Sequence, residues 1–155
     1  MPAVSAGILL YVRSQELRVL LAHPGGPFFS RKDSGSWTIP KGLVNNDEDP
    51  ESAARREFEE ELGWSPPGVT VSLGYVKLRS GKIVHGFATQ SIKSEAVLLE
   101  KFQPGTFSLE WPPKSGLLTD FPEIDRIGLF TLDEARSKLA AAQLPFLDRL
   151  CAVVK

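Results

Sequence analysis

The stretch "GLVNNDEDPESAARREFEEELGW", residues 42–64, decides the fold of this chain. Residues 50–63 have helical spacing, because their apolar side chains recur every three or four positions. Asp49 suits the N-cap of this helix and Pro50 its first turn, whereas Gly63 is suited to end it. The sequence therefore predicts one amphipathic helix that begins and ends inside the stretch.

Four glutamates crowd five consecutive positions of this helix, namely Glu57, Glu59, Glu60 and Glu61. Like charges three or four positions apart destabilise a helix by about 0.2–0.5 kcal/mol per pair. At about 100° per residue, Glu57, Glu60 and Glu61 lie beside the apolar stripe and Glu59 points into solvent. Carboxylate oxygens are the ligands that hard divalent cations prefer. The cluster therefore predicts a divalent-metal site, with a merely solvated helix face as the alternative.

The rest of the chain has the pattern of an α/β domain. Strands are predicted at residues 4–13, 17–22, 69–79, 82–92 and 127–131, and two further helices at 132–142 and 145–154. Segments 23–37 and 103–122 are rich in glycine, proline or serine, so we expect them to be long irregular loops. Because the chain has neither repeats nor an obvious linker, we predict one domain over residues 1–155.

Composition excludes several classes of protein. The 155 residues are 42% hydrophobic, enough for one full core. A net charge of −1 argues against a nucleic-acid partner or an anionic membrane surface. The apolar run at residues 3–12 is too short to span a bilayer, so no membrane partner is expected. The single cysteine, Cys151, excludes an internal disulfide and suits a reducing compartment, which predicts a cytoplasmic location.

Seven fixed positions and two bulky apolar ones share a signature with a known family. The pattern is G-x5-E-x7-R-E-U-x-E-E-x-G-U, where U is bulky and apolar, and it is matched by Gly42, Glu48, Arg56, Glu57, Phe58, Glu60, Glu61, Gly63 and Trp64. A chance match at all seven fixed positions has a probability of about 10⁻⁶ or less. The stretch resembles the Nudix box, and the chain is identified as a MutT-like member of the Nudix hydrolase family. The resemblance implies the Nudix fold, an α/β/α sandwich with a mixed β-sheet.

The resemblance also implies a metal site. Glu57, Glu60 and Glu61 would bind Mg²⁺ or Mn²⁺, and one of them would act as the base that activates a water molecule. Members of the family often add an acid from a loop beyond the box. Glu123 is the candidate for that metal ligand because it precedes the last predicted strand, and Glu110 is its competitor.

Other positions of the box receive supporting roles from the resemblance. Arg56 would contribute to catalysis by holding carboxylates through bidentate hydrogen bonds. Glu48 would help to position the helix. Gly42 and Gly63 would permit the turns into and out of it.

The implied reaction is hydrolysis of a phosphoanhydride bond in a nucleoside diphosphate linked to a group X. The segment "WTIPKG", residues 37–42, is similar to the one that precedes the box in dinucleoside polyphosphate and diphosphoinositol polyphosphate hydrolases. Lys41 would then contact a substrate phosphate, and Trp111 could stack on a base. The tyrosine expected beyond the box in dinucleoside polyphosphate hydrolases is missing, and Tyr75 is the nearest one. The substrate is therefore predicted only as a nucleotide or another small molecule with a diphosphate, such as a dinucleoside polyphosphate or a nucleoside triphosphate.

A catalytically silent domain that senses a nucleotide is the alternative function, because some Nudix domains have lost catalysis. The complete set of Glu57, Glu60 and Glu61 favours the enzyme. A sensor has no need to bear the mutual repulsion of all three carboxylates.

Overall fold

The computed structural model describes residues 3–154 and has a six-stranded mixed sheet between two layers of helices. A separate two-stranded sheet lies outside this sandwich. The elements in chain order are β1 (Val4–Arg13), β2 (Leu17–Pro24), β3 (Lys41–Leu43), α1 (Pro50–Leu62), β4 (Val71–Lys77), β5 (Ile83–Gln90), α2 (Glu95–Glu100), β6 (Thr106–Glu110), β7 (Leu118–Pro122), β8 (Ile124–Thr131), α3 (Leu132–Lys138) and α4 (Pro145–Val153). A single 3₁₀ turn, Ala141–Gln143, joins the last two helices.

Strand β1 is the centre of the main sheet. It pairs in parallel with β5 and antiparallel with both β2 and β3, so the sheet is mixed. The strand order is β4-β5-β1-β2-β8, with β3 beside the first half of β1. Because Gly42 of β3 lies opposite Ala6, the start of the box is held at the middle of the sheet. Most of the apolar run at residues 3–12 thus belongs to the central strand.

Over residues 3–154, no helix is long and apolar enough to cross a membrane.

The two faces of β1 serve two separate cores, as the alternation of side chains in a strand requires. Ile8 and Leu10 pack with Phe58 and Leu62 of α1 on one face. Leu9, between them, packs on the other face in the cluster that holds α3 and α4. The box helix therefore covers one face of the sheet and the C-terminal helices cover the other.

Helix α1 has the ends that the sequence predicts. Asp49 is the N-cap, and its carboxylate accepts a hydrogen bond of 3.0 Å from the Ser52 N–H. Pro50 occupies the first turn. Gly63 adopts the left-handed conformation with φ of 89°, and its N–H donates to the Glu59 carbonyl at 2.8 Å. These contacts explain why the helix stops just before the end of the box.

The prediction for residues 103–122 is wrong. β6 and β7 form an antiparallel hairpin there, paired from Thr106↔Pro122 to Glu110↔Leu118. Two five-residue strands around a proline-containing turn are too short to stand out by periodicity in the sequence. β2 also extends through Pro24 into the predicted loop, and β8 begins at Ile124 rather than at residue 127.

Gly63 offers a test of how α1 is joined to the following chain. Its φ of +89° matches that of Gly81, +91°, but a Cβ at Gly63 would lie 2.6 Å from the Gln103 carbonyl oxygen, whereas one at Gly81 meets nothing within 4 Å. Gly81→Ala should lower the free energy of unfolding by about 1–2 kcal/mol, the cost of the left-handed conformation. Gly63→Ala should cost at least about 1 kcal/mol more, because of overpacking. Urea denaturation of both variants measures the difference, and equal losses would contradict the packing of the helix end against residue 103.

Candidate active site

The carboxylates of α1 are graded in exposure across the edge of its buried face. Glu61 is only 9% exposed, and the side chains of Glu57 and Glu60 are 14% and 55% exposed. Glu59 is exposed, and its carboxylate accepts a hydrogen bond from the Ser65 hydroxyl at 3.1 Å. Glu61 and Glu57 are therefore largely buried, Glu60 is exposed but shares the Arg56 guanidinium with Glu57, and Glu59 is set apart from them.

Arg56 joins this helix to the loop before it. Its Nε and Nη2 atoms donate to the two carboxylate oxygens of Glu48, both at 2.9 Å. Nη2 also donates to the Leu43 carbonyl at 2.9 Å, and Nη1 donates to Glu57 at 2.8 Å and to Glu60 at 3.3 Å. The hydrogen bond from Arg56 lowers the pKa of Glu48. One guanidinium thus binds three carboxylates and the end of β3, in the bidentate geometry expected for it.

Gly42 is notable for the close approach of the Glu57 side chain and not for a turn. The φ of Gly42 is not positive, unlike that of Gly63. The expectation that Gly42 permits a turn is therefore corrected. An ideal Cβ at Gly42 would lie 2.0 Å from the carboxylate carbon of Glu57. The Glu57 side chain therefore packs directly on the backbone of β3.

Glu61 and Lys41 face each other across the junction of α1 and β3. The Lys41 N–H donates to a carboxylate oxygen of Glu61 at 3.2 Å. Burial, and then the charge of Glu57, raise the pKa of Glu61 to about 8, and Lys41 partly opposes this. Burial, followed by the nearby Lys82, lowers the pKa of Lys41, and Glu61 and Glu57 act in the opposite direction. A partly buried cation therefore lies next to the carboxylate cluster.

Glu123 reaches the same cluster from a distant part of the chain. The Gly105 N–H donates to the Glu60 carbonyl at 3.2 Å, and the Glu123 N–H donates to the Gly105 carbonyl at 2.8 Å. On its other side, the Glu123 carbonyl accepts from the Gly25 N–H at 2.9 Å. Burial, and then the charges of Glu57 and Glu60, raise the pKa of Glu123. Its carboxylate thus lies beside the second half of α1.

The structure does not bring Glu110 to this place. Glu110 is at the far end of the β6–β7 hairpin, four residues or about 13 Å along the strand from Thr106. Its carboxylate accepts a hydrogen bond from the Lys114 N–H at 3.0 Å and so closes the hairpin turn. Trp111, next to it, makes an edge-on contact with Phe28 at 5.5 Å between ring centroids. Of the predicted substrate contacts, Lys41 adjoins the carboxylates and Trp111 lies at the hairpin tip.

The donor set fits a hard divalent cation. Carboxylates from α1 and from the β7–β8 junction gather in one place, and oxygen ligands of this kind are what Mg²⁺ and Mn²⁺ bind. Burial and mutual repulsion raise the pKa values of Glu61 and Glu123, as expected for carboxylates with too little positive charge nearby. Between residues 3 and 154, no three acidic, histidine or cysteine side chains already surround a common metal-sized position. Glu57 and Glu60 are instead turned toward Arg56.

Two clefts lie near the box. A cleft of about 540 Å³ is lined by Val4 and by Leu43–Asn46, directly beside the start of the box. A second cleft, of about 530 Å³, is lined by Tyr11, Trp64, Val69 and other residues, and none of the candidate carboxylates contributes to it. None of these carboxylates lines the first cleft either, so neither cleft is assigned to the candidate site.

Solved structures share this fold across nearly the whole chain. The NUDIX domain of Shewanella oneidensis NrtR, in complex with ADP ribose, aligns with 100% of this chain and 90% of its own, at 16% identity and a TM-score of 0.66. A mutT/nudix family protein from Listeria innocua aligns over 99% and 95%, at 21% identity and a TM-score of 0.66. A C. elegans Ap4A hydrolase, in a binary complex, aligns over 97% and 96%, at 20% identity and a TM-score of 0.59. These likenesses define the class of fold, the Nudix α/β/α sandwich.

The sequence itself shows the family. The family profile of the NUDIX domain matches residues 1–150. An RNA pyrophosphohydrolase from Hahella chejuensis is 38% identical over 58 residues, a segment that covers 36% of this chain and 36% of that protein. The chain belongs to the Nudix hydrolase family, whose enzymes act on phosphoanhydride bonds and generally use divalent metal ions. The family and the fold class predicted from the box are thereby confirmed.

Arg56→Lys tests the hydrogen-bond network at the box. A lysine keeps the charge but cannot bind Glu48 in a bidentate way or reach Leu43 at the same time. We expect the free energy of unfolding to fall by about 1–2 kcal/mol, discounted for the partial exposure of the pair. Arg136→Lys, at the exposed ion pair with Asp148, is the control and should change stability by less than about 0.5 kcal/mol. Thermal and urea unfolding measure both, and equal effects would contradict the network.

Proposed function

We propose that this chain is a divalent-metal-dependent pyrophosphohydrolase that cleaves a phosphoanhydride bond in a nucleoside diphosphate linked to a group X. The observation that carries the proposal is the meeting of four carboxylates from two distant segments, Glu57, Glu60 and Glu61 on α1 and Glu123 before β8. We infer that these four hold Mg²⁺ or Mn²⁺, and that residues 1–155 act as one catalytic domain. When bound, such a cation would neutralise phosphate charge and lower the pKa of a water molecule.

The side chains around the carboxylates receive distinct roles in this proposal. Arg56 orients Glu57 and Glu60 by hydrogen bonds and does not contact substrate. One of the three α1 carboxylates accepts the proton of the attacking water. Lys41 is a point charge that attracts a substrate phosphate, because its ammonium lies at the border of the cluster. Trp111, paired with Phe28 at the hairpin tip, supplies a ring on which a base could stack.

The group X is best identified by a substrate panel. The structural neighbours include a domain bound to ADP ribose and an Ap4A hydrolase, and the curated relative is an RNA pyrophosphohydrolase. The panel should therefore contain ADP-ribose, diadenosine polyphosphates, nucleoside triphosphates, diphosphoinositol phosphates and 5′-triphosphorylated RNA, each with Mg²⁺, Mn²⁺ or EDTA. A preferred substrate cleaved only with metal supports the proposal. Tight binding without turnover would instead favour the nucleotide sensor.

Glu60→Gln tests the metal site with little change in shape. The loss of one carboxylate charge should reduce kcat by at least about 100-fold, while the fold stays intact. Glu59→Gln is the matched control, since Glu59 is on the same helix but faces away, toward Ser65. Phosphate release at saturating substrate and metal measures both variants. Undiminished turnover in Glu60→Gln would exclude this residue from the metal site.

Lys41→Gln tests the phosphate contact. Loss of a charge-assisted contact made in both the ground state and the transition state should raise KM about 10-fold or more and leave kcat nearly unchanged. Lys77→Gln, on the exposed part of β4, is the control and should leave both constants unchanged. Steady-state kinetics with the preferred substrate make the comparison. A fall in kcat at constant KM would place Lys41 outside substrate binding.

A further inference from the structure

His23 is a buried histidine to which the proposed chemistry gives no role. It lies near the end of β2 and is 0% exposed. Its Nδ1 atom is 2.8 Å from a carboxylate oxygen of Asp125, and its Nε2 atom is 2.6 Å from the Lys32 carbonyl oxygen. The ring of Trp37 covers it edge-on at 5.1 Å between centroids. Both ring nitrogens are therefore in contact with oxygen atoms inside the protein.

The two partners determine the protonation of the ring. A peptide carbonyl and a carboxylate can only accept hydrogen bonds, so each ring nitrogen of His23 has to donate. Only the imidazolium form carries a proton on both nitrogens. The geometry therefore assigns a cation to His23, paired with the partly exposed carboxylate of Asp125. Further charged groups at this place are Arg126, whose Nε is 3.7 Å from the same carboxylate, and Asp33, which accepts a hydrogen bond of 2.7 Å from the Trp37 ring.

Asp125 is the extra residue of a β-bulge. In the β2–β8 ladder His23 is paired with Arg126, but the next pair is Pro24 with Ile124, so Asp125 has no partner across the ladder. An extra residue reverses which side chains face inward, since the side chains of a strand alternate. Because of this bulge, Ile124 is directed into the core, where it is 5% exposed. The hydrogen bond between Asp125 and His23 ties this bulged residue of β8 to the neighbouring strand β2.

The bulge lies directly after Glu123. The Glu123 backbone is hydrogen-bonded to Gly105 on one side and to Gly25 on the other. Gly25 is two residues beyond His23 in the chain. The bulge at Asp125 therefore determines how the chain enters β8 from the carboxylate of Glu123. His23 also binds the loop after β2, through the Lys32 carbonyl.

We propose that His23 is a positioning residue for Glu123. Its imidazolium holds the Asp125 bulge on one side and the Lys32 carbonyl on the other, and so directs the Glu123 carboxylate toward α1. The inference rests on the proposed function, in which Glu123 is a metal ligand. Gln at position 23 cannot donate in two opposite directions, because its two donors are on one nitrogen.

The first measurement is the ¹⁵N NMR spectrum of the imidazole of His23 in the whole chain at neutral pH. His23→Gln identifies the signal by its disappearance, and His85, which is only partly buried, provides the comparison in the same spectrum. Two protonated nitrogens are expected for His23. A signal from one unprotonated nitrogen would overturn the assignment whatever the activity of the enzyme.

The second measurement is a double-mutant cycle read by Mn²⁺ binding in calorimetry, with kcat and KM determined in parallel. His23→Gln should weaken Mn²⁺ binding about 10–100-fold and lower kcat more than it raises KM. In the Glu123→Gln background the same change should alter Mn²⁺ binding by less than about 2-fold, because its target is gone. A merely structural role would give the same effect in both backgrounds and would overturn the proposal.

Two controls separate the possible failures. Asp125→Asn keeps the side-chain shape, and the same dependence on Glu123 is expected of it, so it carries the test if His23→Gln does not fold. His85→Gln should leave Mn²⁺ binding unchanged. Normal Mn²⁺ binding by wild type together with normal binding by the His23 and Asp125 variants would overturn this inference alone. A wild-type chain that binds no Mn²⁺ would overturn the proposed function, and this inference with it.

Discussion

The guanidinium of Arg56 is the interaction on which the candidate site depends. It compensates Glu48, Glu57 and Glu60 together, and it also binds the Leu43 carbonyl at the end of β3. Without it, like charges one turn apart would destabilise the half of α1 that the site uses. Because the same group binds the helix, the loop before it and the strand edge, the orientation of α1 on the sheet and the orientation of its carboxylates have one common cause.

The close approach of α1 to the sheet is the second constraint. The Glu57 carboxylate occupies the space that a side chain at residue 42 would take, and the Lys41 N–H next to it binds Glu61. The carboxylates are therefore partly buried against backbone, where repulsion between them is less screened by water. Such a cluster is suited to a cation and costly without one. This is the physical link between the fold of the box and the chemistry that we propose for it.

The box could be interpreted from the sequence almost completely, because its features are local. The N-cap at Asp49, the end at Gly63 and the outward direction of Glu59 all follow from helical geometry over a few residues. The β6–β7 hairpin, in contrast, was missed, since its strands have five residues each and are stabilised by pairing with one another. For the same reason the choice between Glu123 and Glu110 was open in the sequence. The two residues are at opposite ends of that hairpin.

The sequence by itself determined the family, the fold class and the grouping of Glu57, Glu60 and Glu61 beside the apolar stripe of α1, because spacing along one short stretch decides these. Only the tertiary structure decided which distant acid lies beside them, what packs on Gly42 and what surrounds His23. These depend on contacts between residues far apart in the chain: Gly105 with Glu60, residue 42 with Glu57, and His23 with Asp125. No periodicity encodes such contacts, since each one arises where two separately folded segments are packed together.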